Sequence, residues 1–179
     1  TGLVEFASVA AYDNSVASGD KLSDTLTTDT AIANYMGAGV GTTKVIMSGD
    51  SLTTSTHTLT IDANVTLEVS SGRTLTIAGA VTKNGNGAIT GAGNVTFNSI
   101  AAYDATSDNS DIGSAIASNR TLSKYNTTGT TKVIIASGED LTINAEFTIA
   151  SGVTLEITSG RTLEVALGGT LTNNGSFVS

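Results

Sequence analysis

The chain has 179 residues, about one ordinary domain, with 8 basic and 16 acidic side chains and a formal net charge of −8. So acidic a surface argues against binding to the phosphate backbone of nucleic acid. With only 13% of residues charged, it is not a charge-driven disordered chain either. There is no cysteine, which excludes disulfides, thiolate metal sites and cysteine nucleophiles. No apolar run approaches the ~18 residues of a membrane-spanning helix. Abundant Thr and Val without any proline favour long regular β structure.

In chain order, Leu3, Val4 and Phe6 have strand patterning and lead to Ala10-Ala11-Tyr12-Asp13. Residues 14–42 read as a surface loop with a short helix, because Thr30 to Met36 carries apolar residues at near-helical spacing and Asp29 suits an N-cap. Period-two alternation then begins. Val65, Leu67 and Val69 share one face while Thr66 and Glu68 take the other, the pattern of a half-buried strand. Strand centres fall eight apart at Leu59, Leu67 and Leu75, and again at Leu155, Leu163 and Leu171. Corners such as Ser71-Gly72, Asn84-Gly85, Ser151-Gly152 and Asn174-Gly175 stand between or beside them. Residues 105–130 mirror 14–42, with a second expected helix within Ile112 to Tyr125 headed by Asp111.

The mirroring is general. Val65 to Leu75 returns as Val153 to Leu163 with nine of eleven residues identical, and Thr43-Lys44-Val45-Ile46 returns as Thr131-Lys132-Val133-Ile134. Ala10-Ala11-Tyr12-Asp13 returns as Ala101-Ala102-Tyr103-Asp104. The chain is therefore two copies of one unit, 1–91 and 92–179, within one continuous body. Evenly spaced short strands also suit a sandwich. Frequent corners, reuse of the same strand-corner-strand text and the lack of edge-protecting proline favour a solenoid. Three strands at this spacing imply a coil of about 24 residues. Val65, Leu67, Leu75, Phe97, Leu155 and Leu163 are expected inside.

The Val-Thr-Leu-Glu-x-x-Ser-Gly-Arg-Thr-Leu blocks and the tail Gly169-Thr170-Leu171-Thr172-Asn173-Asn174-Gly175 resemble the parallel β-helix repeats of prokaryotic surface and secreted proteins, adhesin-like and filament-forming ones among them. The resemblance covers roughly 43–97 and 131–179. It implies an all-β parallel β-helix, expected right-handed, with two internal repeats and loop or short-helix insertions. It says little about activity, since adhesins, fibres, phage tail proteins and polysaccharide lyases share such folds.

Candidate sites are few. His57 is the one histidine, has no cysteine or second histidine to pair with, and reads as a polar strand or turn residue. Glu68 and Glu156 each precede an arginine by five residues, Arg73 and Arg161, and read as surface ion pairs across a corner. Asp104, Asp108 and Asp111 form one acidic group and Asp13, Asp20 and Asp24 another. Either offers oxygens to Ca²⁺, but neither has a recognised ligand pattern, and turn capping is the simpler role. No other cofactor is expected. Five Asn-x-Ser/Thr sequons occur, of which Asn119 and Asn126 lie in the expected loop and are the accessible glycosylation candidates.

The ends carry the most information about function. Phe177-Val178-Ser179 followed by Thr1-Gly2-Leu3-Val4-Glu5-Phe6 aligns without a gap to Ile89-Thr90-Gly91-Ala92-Gly93-Asn94-Val95-Thr96-Phe97. Both ends thus read as mid-solenoid sequence, either of subunits stacking head to tail or of one period cut from a longer tandem-repeat protein. The expected function is a non-enzymatic, structural unit of an extracellular filament or surface fibre. Its partner is itself, through Leu3, Val4, Phe6, Phe177 and Val178, without nucleic acid or membrane insertion. A segment of a large surface adhesin contacting glycan or a host surface is the second reading. A carbohydrate-active β-helix enzyme is the third, disfavoured by a duplicated, aromatic-poor surface.

Overall fold

The structure, a computed structural model, describes residues 2–23, 25–37, 40–49, 51–106, 111–126 and 128–179. In the first repeat β1 (Leu3–Phe6) leads to α1 (Val9–Asp13), a 3-10 turn (Ser18–Asp20), β2 (Thr30–Ile32), β3 (Thr42–Met47), β4 (Leu52–Thr53), β5 (Thr58–Ile61), β6 (Val65–Val69), β7 (Thr74–Ile77), β8 (Ala80–Lys83) and β9 (Ala88–Thr90). The second repeat runs β10 (Asn94–Phe97), α2 (Ile100–Asp104), β11 (Ala115–Ile116), β12 (Arg120–Leu122), β13 (Thr130–Ile135), β14 (Leu141–Ile143), β15 (Glu146–Ile149), β16 (Val153–Ile157), β17 (Leu163–Val165), β18 (Thr170–Asn173) and β19 (Ser176–Val178).

Every ladder among the described residues is parallel. Strands β1-β3-β6-β9 stack on a first side, β4-β7-β10-β13-β16-β19 on a second and β2-β5-β8 on a third. After β10 the chain keeps turning in the same order. β11-β14-β17 therefore continues the third side, and β12-β15-β18 continues the first. The fold is an all-β parallel solenoid, as the alternation predicts. The coil is shorter than 24 residues: Val45 stands under Leu67 and Leu67 under Ile89, a step of 22.

Alternation places one row of each strand inside. Ile77, Phe97, Val133 and Leu155 form one continuous column on the second side, all fully buried. Val45, Leu67 and Ile89 form another on the first side. Within a parallel ladder each side chain sits ~4.8 Å above its counterpart, so like packs on like through the stack. Leu163 is the exception among the expected core residues. It stands on buried Leu141 but is only half-buried, because among the described residues nothing lies on its other face.

The two insertions differ from the reading of the sequence. No helix forms over 30–36 or 112–125. Those segments give β2, β11 and β12, because Ile32 stacks beside Ile61, Ile116 beside Ile143 and Leu122 beside Ile149. Stacking on an existing coil outweighs a weak helical period. The helices lie instead on the repeated Ala-Ala-Tyr-Asp blocks, capped by Ser8 and Ser99, whose hydroxyls accept from Ala11 N and Ala102 N at 3.0 Å. Asp29 is no cap; its Oδ1 accepts from Thr58 N at 2.8 Å. Nor is Asp111, whose main-chain carbonyl accepts from Arg120 Nε.

Removing interior volume is expected to cost according to depth. Leu67→Ala, at a fully buried position, should lower stability by about 2–5 kcal/mol, and Leu163→Ala by clearly less. Denaturant unfolding of both variants measures the difference.

Candidate functional site

Most of the polar residues singled out in the sequence prove to be structural. His57 Nδ1 stands 3.6 Å from Asp29 Oδ1 on an exposed corner. Glu68 does not reach across its corner to Arg73. It pairs with Lys44 directly below it in the ladder, at 2.7 Å, and Lys44 also reaches Glu5 at 3.4 Å. The hydrogen bond to Glu68, more than anything else, raises the Lys44 ammonium above the usual lysine range. Glu156 pairs in the same way with Lys132. Arg73 instead donates to the Gly49 carbonyl, and Arg161 approaches Asp140 at 4.0 Å. The neighbour one coil away wins because the ladder itself fixes its distance.

The aspartates clasp the insertions. Asp104 accepts from Ile112 N at 2.7 Å and Gly113 N at 2.8 Å, and Asp13 accepts from Leu22 N and Ser23 N at 2.8 and 2.9 Å. Burial raises the Asp104 carboxyl above its ordinary value, and the two amide hydrogen bonds pull it back down. Asp111 is exposed, while Asp24 and Asp108 lie outside the described residues. Among the described residues no group of three or more His, Asp or Glu is placed to hold a metal ion. A shallow groove beside α2 is lined by Asp104, Glu139 and Asp140, yet these too are engaged. Glu139 takes the amides of Ile100, Ala101 and Ala136, and Asp140 takes that of Thr162. Asn119 is exposed, as its loop position suggests. Asn126 is not an accessible acceptor: it is buried, and its Nδ2 donates to the Gly93 carbonyl at 2.9 Å.

Among the described residues, uncovered strand edges lie in the first and last coils. At the lower end β1 is paired with β3 on one edge, and among the described residues with nothing on the other. Its register turns Val4 and Phe6 inward, over Thr43 and Val45, and Leu3 and Glu5 outward. Leu3 is 60% exposed. Phe6, one of the expected contact residues, is largely enclosed within the single chain. It is only 9% exposed, held edge-on between Tyr12 at 5.3 Å and Tyr35 at 5.2 Å. Phe97 has the same setting between Tyr103 at 5.1 Å and Tyr125 at 5.3 Å, with Ile77 beneath it as well. The Ala-Ala-Tyr-Asp repeat, whose tyrosine falls six residues after each phenylalanine, was the sequence signal for this aromatic cluster, though not for its second tyrosine.

At the upper end no strand among the described residues lies over β17, β18 and β19. Val165, stacked on Ile143, is 47% exposed, and Phe177, stacked on Leu155, is 40% exposed. Leu163 and Leu171 are half-buried beside them. Val178 is exposed but sits on the outer row, against Glu156. The sequence reading found Phe177 here and missed Leu163, Val165 and Leu171, because interior positions of a last coil look like those of any other coil.

No helix among the described residues is long and apolar enough to cross a membrane. Comparison with protein-family models, with curated proteins and with solved structures gives no match.

Two outcomes follow from the clasps and the aromatic clusters. Asp104→Ala should strip hydrogen-exchange protection from the amides of Ile112 and Gly113 while leaving those of β13 and β16 protected. Tyr12 is fully buried, and desolvation, with Asp20 adding to it, pushes its phenol up to about 12 from 10.0. The folded chain keeps that proton where the unfolded chain releases it, so stability should fall as pH rises from about 10 towards 12. Tyr12→Phe should flatten that part of the stability–pH curve.

Proposed function

We propose that this chain is a structural, non-catalytic unit of an extracellular filament or surface fibre, built by end-to-end stacking of copies of itself. One observation carries the proposal. Inside the chain, β10 of the second repeat lies on β7 of the first, with Val95 over Leu75 and Phe97 over Ile77. The top of the second repeat offers the counterpart of that platform in β17, with Leu163 and Val165 in the same places and uncovered. The bottom of the first repeat offers the counterpart of β10 in β1, with Val4 and Phe6 inward. An open edge of this kind is a template for another strand, and filling it by a like copy generates an open-ended, heterologous polymer.

A structural role is supported by how the polar groups are spent. The carboxylates beside α2 hold main-chain amides, and the described residues contain no metal-binding cluster. The extracellular or surface setting rests on the resemblance of the repeated blocks to surface and secreted β-helices. The same contact would serve separate chains and consecutive repeats of one longer chain alike.

Val165→Asp tests the proposal, since Val165 is half-open in the single chain and would be covered in the stack. Wild-type protein should form rods visible by electron microscopy as concentration rises. The variant should remain folded and monomeric, losing about 1–2 kcal/mol, because a charge is tolerated at a half-open position and not beneath an apolar ring. A wild-type chain that stays monomeric at high concentration, with no rods, would overturn the reading.

A further inference from the structure

We infer that each repeat is rotated by one side of the coil, so that each new copy lands two sides on, with its β1 on β17, and the fibre is a three-repeat screw rather than a straight stack. This inference rests on the end-to-end reading above and adds its register and symmetry.

The screw is already present between the two repeats. β1 opens the first repeat on the first side of the coil, whereas β10, its counterpart, opens the second repeat on the second side. The cause is arithmetic in the chain. Between β1 and β10 the strands pass β3, β6 and β9 on the first side, three coils, and then advance one side further to reach β7. Each repeat is thus three and a third coils, not three. The equivalent platform at the top of the second repeat is β17, on the third side. A copy placed there by the β7–β10 register sets Leu3 on Thr162, Val4 on Leu163, Glu5 on Glu164 and Phe6 on Val165.

Three features of the contact bear on this placement. The inward pairs, Val4 on Leu163 and Phe6 on Val165, are apolar on apolar, as Val95 on Leu75 and Phe97 on Ile77 are within the chain. The corner entering β10 is not reproduced. Gly91 has φ +98, and a Cβ there would lie 2.2 Å from the Val69 carbonyl oxygen, whereas the aligned residue is Ser179. What the ends share with the internal junction is the strand pair, not the turn. The outward pair Glu5 on Glu164 sets like charges side by side where the internal junction has Thr96 on Thr76. Above Glu5 the row continues as Lys44 and Glu68, so a cation at position 164 would extend an alternating ladder.

The geometry sets the symmetry of the fibre. Successive repeats advance by a third of a turn and about 16 Å, and three repeats, ten coils, complete a turn in about 48 Å. Each 179-residue copy covers two thirds of a turn and about 32 Å. The α1 and α2 insertions then project from three corners in rotation.

Introduced cysteines give a clean test, because the chain has none of its own. Glu5 and Glu164 both point outward, and neighbouring parallel strands bring Cα atoms within disulfide range. Oxidised rods of the Glu5→Cys, Glu164→Cys double variant should run as a reducible ladder of multimers. The Glu5→Cys, Thr172→Cys control, which joins only in an unrotated stack with β1 on β18, should not. In the otherwise native chain, Glu164→Lys should lower the critical concentration about 3-fold or more by replacing a repulsive cross-strand pair with an attractive one. Rods that cross-link through Thr172, or through neither pair, would overturn the rotation while leaving end-to-end assembly standing. A wild-type chain that gives no rods at all would remove both.

Discussion

The whole structure depends on the parallel stacking of one coil on the next at a fixed spacing. Each strand satisfies half of its backbone groups with the coil below and offers the other half to the coil above. Within the body this is economical, since each new coil both consumes an edge and supplies one. Side-chain choice follows the same rule. Apolar residues meet apolar ones along the inner columns, and Glu68 over Lys44 or Glu156 over Lys132 meet along the outer rows. Stability in such a body is a sum of neighbour contacts, and it runs out where a neighbour is missing.

The insertions are the one place where the chain leaves the coil, and they return to it under tight control. A helix capped by a serine carries a tyrosine back against a core phenylalanine, and an aspartate at its end ties the loop down through two amides. Because both repeats carry the device, the insertion belongs to the repeat and not to one end of the molecule. It also marks where each repeat begins on the coil, which is what makes the rotation between repeats visible.

Much of this was legible in the sequence. Alternation over Val65 to Val69 and the eight-residue spacing of the leucines place the strands and their inner faces, and the repeated blocks show that the body is one unit used twice. Three things were not legible. The coil is 22 residues because corners take up fewer positions than even spacing suggests. The strands β2, β11 and β12 are two or three residues long and carry no period of their own; they exist because a coil lies beside them. Among the described residues, exposure at the first and last coils depends on what lies above or below, so Leu163 and Leu75 have the same local text and different burial. The partners of Glu68 and Glu156 were misplaced for a related reason. Sequence distance points to Arg73 and Arg161, while the ladder brings lysines 24 residues away into contact.

The buried threonines have a consequence for how such a chain avoids errors. Thr43 and Thr131 interrupt the apolar columns, each fully buried, and each hydroxyl accepts the main-chain N–H of a tyrosine, Tyr35 or Tyr125, at 2.8 Å. A chain of near-identical coils has an obvious kinetic trap. Threading one coil too early or too late keeps every inner residue inside and every outer residue outside, so hydrophobic burial alone scarcely distinguishes the slipped form from the native one. The threonines do distinguish it. In a slipped thread these buried hydroxyls lose their partner and the tyrosine amides lose their acceptor, at a cost of about 1–3 kcal/mol for each stranded group. One polar atom per repeat thus works as a proofreading mark, holding a repetitive polypeptide to a single thread among several that its hydrophobic pattern would accept.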